Sequence, residues 1–433
     1  MFYIRQTTCI SPQQTFSGTK IDLSQEYESV DNKMNALEPP YPGIPPNILR
    51  RMAKAVRMGV GTALPLIKGA DSLPQDSKKY SQAGTKDPHG DPHHLQNSTN
   101  APASEEKSDS APAGIIIGTA NGGMEESVKF LKQIVDYNEE MLTPGNFVQS
   151  IPNAIASQIS LLSQNKGYNT THVHRGLAFE NAVIDTAMLV AENPGSSYLV
   201  GGVDEIATYH FNLEYLEGSY KKEPVSGKQL YEVDSPGSIA GEGAVMFLVG
   251  SEKTDALAKM QGLITLHSED ETAVTSLLQE FLDRHIAATG ERPDLFLTGE
   301  NGDSRIRHFY EACEATLDKA LHNTITDSTF PDDTLPTSSS QTNPGQDNPI
   351  TGNIPPRNTP GIDIIVARYK HMSGEYPTAT AFALWIACQV LNGLTLPPHM
   401  VKQPGPAGQK GIKNVLIYNN YKGRQHSFMW VSR

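Results

Sequence analysis

Three groups of residues in this chain have types and spacings that bear on chemistry. The first is the turn Asn169-Thr170-Thr171-His172-Val173-His174-Arg175-Gly176. His172 and His174 stand at i and i+2, so on a strand they share one face, with Thr171 beside them. A histidine nucleophile or base is one reading, but a turn-stabilising or interface histidine is the commoner role and is preferred. The second group is Glu300 and Glu375, two carboxylates able to serve as an acid and base pair where a fold joins them. Against that, Lys370 lies five residues before Glu375 and Arg175 is a further cation, so a structural ion pair is favoured. The third is the basic run from Asn47 to Gly59, with Arg50, Arg51, Lys54 and Arg57. Arg50, Lys54 and Arg57 are spaced i, i+4 and i+7 and would share one helix face. That face suits an acidic partner, a solvated balance to nearby acids, or a subunit contact.

The cysteines add nothing to these groups. Cys9, Cys313 and Cys388 are the three in the chain and have neither paired nor metal-ligand spacing, so no metal and no cofactor is expected. Cys388 lies in the apolar run Phe382 to Cys388 and reads as a small buried hydrophobe.

The elements that must position these residues alternate short β-rich runs with longer amphipathic ones, the pattern of helices covering a mostly buried sheet. Strands are expected at Gly114 to Gly118, Ser197 to Gly201, Ala244 to Gly250, Leu295 to Thr298, Ile362 to Ala367 and Val415 to Tyr418. Helices are expected at Pro46 to Leu64, Met124 to Tyr137, Ile151 to Ser163, Leu177 to Ala191, Ala273 to Ala288, Ser304 to Leu321 and Thr378 to Leu391. Residues 71–112 and 326–360 are rich in Ser, Pro, Asn, Asp and Thr with few large apolar residues. Both are expected to be disordered insertions, because neither can bury enough apolar surface to offset its ordering entropy. The His-rich tract Asp87 to His94 inside the first reads as a solvated linker rather than a metal site. At 433 residues the chain exceeds the usual single-domain size. Its net charge of −13 opposes non-specific binding to nucleic acid or anionic lipid. The start Met1 to Gln6 lacks the features of a signal peptide, and no run reaches membrane-spanning length, so a cytoplasmic protein with no membrane partner is expected.

Four motifs in order carry a resemblance: Gly114 to Gly123, Phe147 to Ala156, Tyr198 to Glu205 and Gly241 to Val249. Together they resemble the N-terminal half of a β-ketoacyl synthase of the thiolase-like superfamily, a ketoacyl-synthase-like N-terminal domain. The resemblance implies an α/β fold, layered α/β/α/β/α, with internal duplication and two five-stranded sheets. It divides the chain at 1–250 and 251–433, with 71–112 and 326–360 as insertions in the two halves. It also implies a catalytic cysteine at the strand-to-helix turn, where a helix N-terminus stabilises a thiolate. Counting back from Gly201-Gly202 places that position at Gly176, and keeping the elbow glycine places it at Val173. Neither is a cysteine.

The histidines implied by the resemblance are missing too. Thr298-Gly299-Glu300-Asn301-Gly302-Asp303 resembles the turn bearing a histidine followed by glycine and threonine, and Glu300 is taken as the match. Lys370-His371-Met372-Ser373-Gly374-Glu375 resembles the family's lysine-to-histidine series, with Lys370 retained and Glu375 in the histidine's place. A carboxylate there would repel the negative charge that develops in decarboxylative condensation. The loop from Tyr418 to Met429 keeps only Gly423 of the family's glycine-rich gate. The chain therefore resembles the cysteine-less partners of active synthases, such as chain length factors of type II polyketide systems and their counterparts in aryl polyene or flexirubin-type pathways. The implied function is a non-catalytic subunit in fatty acid, polyketide or aryl polyene synthesis. Its implied partners are an active ketoacyl synthase in a heterodimer, or a second copy in a homodimer, and an acyl carrier protein met through the Arg50 to Arg57 face. The implied interface is the strand bearing Thr171, His172, Val173 and His174. The alternative is an acyltransferase or 3-oxoacyl synthase-like enzyme with a rearranged site using His174, Glu300 or Glu375.

Overall fold

The computed structural model describes residues 1–16, 21–24, 27–41, 44–68, 111–326, 364–405, 408–409 and 411–433. The insertions expected at 71–112 and 326–360 lie outside these, apart from residues 111, 112 and 326 at their edges. The first part of the chain forms β1 (Phe2–Ile10), β2 (Lys33–Met34), α1 (Pro46–Leu49), α2 (Lys54–Lys68) and β3 (Gly114–Gly118). Next come α3 (Met124–Asp136), α4 (Pro144–Gln149), α5 (Ala154–Ser163), β4 (Tyr168–His172), α6 (Ala178–Glu192), β5 (Ser197–Asp204), α7 (Thr208–Leu216), β6 (Ala240–Gly241) and β7 (Gly243–Gly250). The remainder is β8 (Ala258–His267), α8 (Glu271–Thr289), β9 (Leu295–Thr298), α9 (Arg307–Thr326), β10 (Ile365–Arg368), α10 (Lys370–Ser373), α11 (Thr380–Leu391), β11 (Val401–Gln403), β12 (Asn414–Tyr421) and β13 (Gln425–Ser432).

Two of these elements differ from expectation in a way that matters below. The single helix read from Pro46 to Leu64 breaks at Arg50 to Ala53. The Gln149 side chain accepts from Ala53 N–H and donates to the Arg51 carbonyl, which satisfies the broken turn from outside. The strands β1, β8 and β13 differ from the expected set, because their mixed polar and apolar sequences, partly buried in β1 and β8 and wholly buried in β13, lack the continuous apolar runs of β3, β5 and β7.

Hydrogen bonding joins the main strands into one 11-stranded sheet, in the order β11-β10-β9-β12-β13-β8-β1-β7-β5-β3-β4. This corrects the expected pair of separate five-stranded sheets: β1 and β8 pair over Phe2 to Ile4 and Ala258 to Met260 and fuse the halves. The order nonetheless contains the same unit twice. From β1, the ladder through β7, β5, β3 and β4 runs antiparallel, antiparallel, parallel, parallel. From β8, the ladder through β13, β12, β9 and β10 repeats that series. The one addition is β11, which covers the outer edge of β10; the equivalent edge of β4 carries no strand among the described residues.

Period-two alternation distributes the strand side chains between three cores. Ile115, Ile117, Leu199 and Met246 pack outward with α2 and α5. Phe296, Val366, Leu416 and Trp430 pack outward on the other side with α8 and α9. Ile116, Val200, Phe247, Leu297, Val415 and Met429 face inward on a shared core built around α6 and α11. Helix α11 is apolar all round and almost wholly buried, as a helix enclosed between sheet halves must be. The layers are therefore helix, sheet, helix, sheet, helix.

Candidate functional site

The strand-to-helix turn lies where β4 runs into α6, at the free sheet edge. Arg175 has a left-handed backbone, φ +49°, and its side chain is exposed. Gly176 is buried, and its N–H donates to Gln425 Oε1 at 2.9 Å, while Gln425 Nε2 donates to the His174 carbonyl at 3.4 Å. A Cβ on Gly176 would lie 2.3 Å from Tyr421 Cβ and 2.5 Å from its Cγ. The space for a nucleophilic side chain at Gly176 is thus filled by Tyr421. The turn's other residues do not replace it. Val173 is exposed; His172 Nε2 meets Asp185 Oδ2 at 2.9 Å, His174 Nδ1 meets Asn181 Nδ2 at 2.9 Å, and Thr171 donates to Asn153 Oδ1. Asn181 and Asp185 are one helical turn apart on α6, so both histidines hold the outer rim of the turn to that helix.

In the Lys370 to Glu375 series Lys370 is fully buried, with Nζ 2.8 and 2.6 Å from the two Glu375 oxygens. Burial lowers the Lys370 pKa, opposed by the Glu375 charge. Asn301 Nδ2 donates to the same carboxylate at 2.7 Å. Glu300 turns elsewhere: Lys402 Nζ lies 2.8 Å from it and Arg368 Nη1 3.5 Å, and Lys402 also takes Glu314 at 2.7 Å. Glu300 and Glu375 therefore have different partners and form no acid and base pair. Sequence reading chose Glu300 where the structure puts Asn301 against Glu375. The signal present in the sequence was that Gly302 directly follows Asn301, the order of the histidine and glycine in the turn that the resemblance implies. Lys221, also buried, secures this turn by donating to the Gly302 carbonyl at 2.8 Å and to the Val233 and Ser235 carbonyls.

Two further buried acids escaped the sequence reading. Asp204, at the end of β5, accepts from Thr119 Oγ1, Ala120 N, Asn121 N, Thr378 N and Thr378 Oγ1, joining the β3 turn to the start of α11. Glu180, four residues after Gly176, accepts from Ser427 Oγ at 2.8 Å, and burial pushes its carboxyl up to about 7. No thiol replaces the absent nucleophile. Burial raises Cys9 and Cys388 to about 12 and moves Cys313 up as well, so all three are protonated and inert.

The basic face is also redistributed. Because the helix breaks at Arg50 to Ala53, Arg50 and Arg51 are exposed in the turn, whereas Lys54 and Arg57 lie on α2 and turn inward. Lys54 Nζ is bound to the fully buried Glu242, and Arg57 forms a two-point contact to Glu38 at 2.5 and 2.7 Å. The four side chains do not make one docking face.

No protein-family model and no curated protein matches the chain. Solved structures do. They include the ishigamide ketosynthase/chain length factor (13% identity, TM-score 0.58), and AntDE:AntF, a type II polyketide acyl-carrier protein in complex with its ketosynthase bound to the hexaketide (12%, 0.59). A β-ketoacyl synthase from Burkholderia phymatum STM815 matches at 11% identity and TM-score 0.61. In each case 100% of this chain and 99% of the other are covered. The fold is thus a thiolase-like α/β fold. More narrowly, it is the fold of ketosynthases and of the ketosynthase/chain length factor assembly. Among the described residues, no helix is long and apolar enough to cross a membrane.

Proposed function

We propose that this chain is a non-catalytic ketosynthase-like subunit that pairs with an active ketoacyl synthase in carrier-protein-dependent polyketide or related acyl-chain synthesis. The observation that carries the reading is the closed turn, in which Gly176 offers no nucleophile and Tyr421 fills the space one would need. The Lys370–Glu375–Asn301 contacts support it, since a lysine already bonded to a carboxylate is not free to stabilise a developing oxyanion.

The pairing surface is argued from the sheet edge. In the repeated unit β10 is protected by β11 while β4 is open, and an unpaired edge strand is a template for another chain. Helices α5 and α6 flank β4 and expose Leu161 (60%) and Met188 (58%), with Val173 (54%) at the strand's end. Single exposed apolar residues are ordinary, but exposed apolar residues on both helices beside an open strand, and at its end, suit a contact surface. A two-fold axis beside β4 would bring Thr171, His172, Val173 and His174 against the partner, where polar side chains select one partner over another. A carrier-protein contact made by this subunit would fall to Arg50 and Arg51, the exposed members of the basic run.

Co-expression with cysteine-bearing synthases and a one-to-one complex on size exclusion is the expected result, lost in Val173→Asp/Met188→Asp. Purified chain incubated with radiolabelled acyl and malonyl carrier protein should acquire no label. Covalent labelling abolished by His174→Ala or Glu375→Gln would establish the enzymatic alternative instead, and a homodimer indifferent to every synthase would remove the heterodimer.

A further inference from the structure

The turn after β9 and the short helix α10 bring three buried side chains to one point. Strands β9 and β10 run parallel with Thr298 opposite Arg368, and Asn301 and Lys370 lie just beyond their two ends. The Lys370 stem runs past Gly299, where a Cβ would stand 3.3 Å from its Cε. Lys370 Nζ is 2.6 Å from Glu375 Oε2, and Asn301 Nδ2 donates to that same oxygen at 2.7 Å. An amine and a carboxamide are thus separated by a single carboxylate oxygen, and none of the three residues is more than 8% exposed.

The group is also held in place and polarised. Asn301 Oδ1 accepts from the Asp303 N–H at 3.1 Å, which draws electrons from the carboxamide carbon. Ser238 Oγ donates to the Asn301 backbone carbonyl at 2.6 Å. The residues that follow Ser238 fix Glu375: its N–H donates to the Ile239 carbonyl at 2.7 Å, and its own carbonyl accepts from the Gly241 N–H at 2.9 Å. Burial favours the neutral amine of Lys370, against the pull of the Glu375 charge. A nucleophile, an acid and base group, an electrophile and an oxyanion donor therefore meet in one desolvated place.

We propose that Lys370 and Asn301 join in an intramolecular isopeptide bond, with Glu375 carrying the protons. Lys370 Nζ gives a proton to Glu375 and attacks Asn301 Cγ, while the Asp303 N–H holds the oxygen on which negative charge develops. Glu375 passes that proton to Nδ2 and takes a second one from Nζ. The Nζ–Cγ bond forms and the Cγ–Nδ2 bond breaks. Ammonia leaves with three hydrogens, the new amide keeps one and Glu375 holds the last, so no oxidant or cofactor is consumed. Asn301 and Glu375 line a cavity of about 320 Å³ bordered by the exposed Lys422 and Arg424, which gives the ammonia a way out. The product replaces a buried ion pair, costly to desolvate, with a neutral amide that ties the end of β9 to the end of β10. Because the ion-paired amine is seldom neutral, closure is slow compared with folding, and the ion pair is the state from which it proceeds.

Intact-mass spectrometry of the folded full-length chain tests this, at purification and after prolonged incubation. A species lighter than the sequence mass by one ammonia should be present or accumulate. Peptide mapping should then find a branched peptide joining Lys370 to Asn301, with tryptic cleavage after Lys370 lost. Glu375→Gln should keep its full mass, and so should Lys370→Arg, which retains a cation for Glu375. Should neither variant fold, the branched peptide in the parent decides alone. The Asn301-Gly302 pair can also lose ammonia by closing a backbone succinimide, but that product is cleaved by hydroxylamine, carries no branch and persists in Lys370→Arg. A parent chain that keeps its full mass, an ammonia loss without a branched peptide, or a branch that forms equally well in Glu375→Gln would overturn the assignment.

Discussion

Replacing Gly176 by alanine separates steric closure of the turn from a mere absence of reactivity. Gly176 does not have a left-handed backbone, so alanine would ordinarily stabilise by about 0.4–1 kcal/mol through the unfolded chain. Here the added methyl would sit 2.3 Å from Tyr421 Cβ, 2.5 Å from Cγ and 2.8 Å from Cδ1. Rotation about χ1 can move the ring but not Cβ, which shifts only with the backbone of β12, and Tyr421 is registered against Gln425 of β13. The clash thus falls at the upper end of overpacking costs, about 3 kcal/mol, and outweighs the entropic gain. In a chain of 433 residues, at about 2.1 cal/mol/K of unfolding entropy per residue, that corresponds to a fall of about 3 °C in the thermal midpoint. A double-mutant cycle makes the cause specific. Tyr421→Ala retains Cβ, so Gly176→Ala should cost nearly as much in that background as in the parent. Tyr421→Gly removes Cβ, and there the cost of Gly176→Ala should vanish. Thermal melts of the six proteins decide it. A Gly176→Ala variant that melts with the parent, or an equal cost in the Tyr421→Gly background, would refute the idea that Tyr421 closes the site.

Lys370→Met should destabilise by about 3–5 kcal/mol, because it strands the buried Glu375 carboxylate, whereas Lys370→Met/Glu375→Leu should recover most of that loss in urea titrations. The buried Glu180 titrates near 7, above the unfolded value of about 4.3, so the native state holds an extra proton between them and parent stability falls as pH rises from 4.5 to 7. Glu180→Gln preserves an acceptor for Ser427, and urea midpoints at pH 5 and pH 8 should show it gaining roughly 3 kcal/mol over the parent at the higher pH. Lys54→Met should cost several times more stability than Arg50→Met in the same assay, because Lys54 neutralises a fully buried Glu242 while Arg50 is exposed.

Much of the fold was legible because its strands are extreme. Gly114 to Gly118 and Leu295 to Thr298 form at the expected bounds, and both are buried on two faces, so a short apolar run between glycine and polar punctuation has no other stable use. Helix α11 was equally plain from its unbroken apolar surface. The break between α1 and α2 was not legible, since it depends on Gln149, about a hundred residues along the chain, satisfying the backbone at Arg51 and Ala53. The strands β1, β8 and β13 were missed for a related reason: their pattern is set by which neighbour they pair with.

At the site, the sequence by itself determined what is missing. No cysteine occurs anywhere between Asn169 and Gly176, and no arrangement of the backbone can create one. It also placed Lys370 and Glu375 close enough along the chain to pair, as they do. Only the tertiary structure decided the rest: that Tyr421 occupies the space over Gly176, that Asn301 rather than Glu300 meets Glu375, and that Lys54 is bound to the buried Glu242 and Arg57 to the half-buried Glu38. Each of these joins side chains from separate strands or helices, and proximity across elements is set by how the layers pack around α6 and α11, a property that local spacing does not encode.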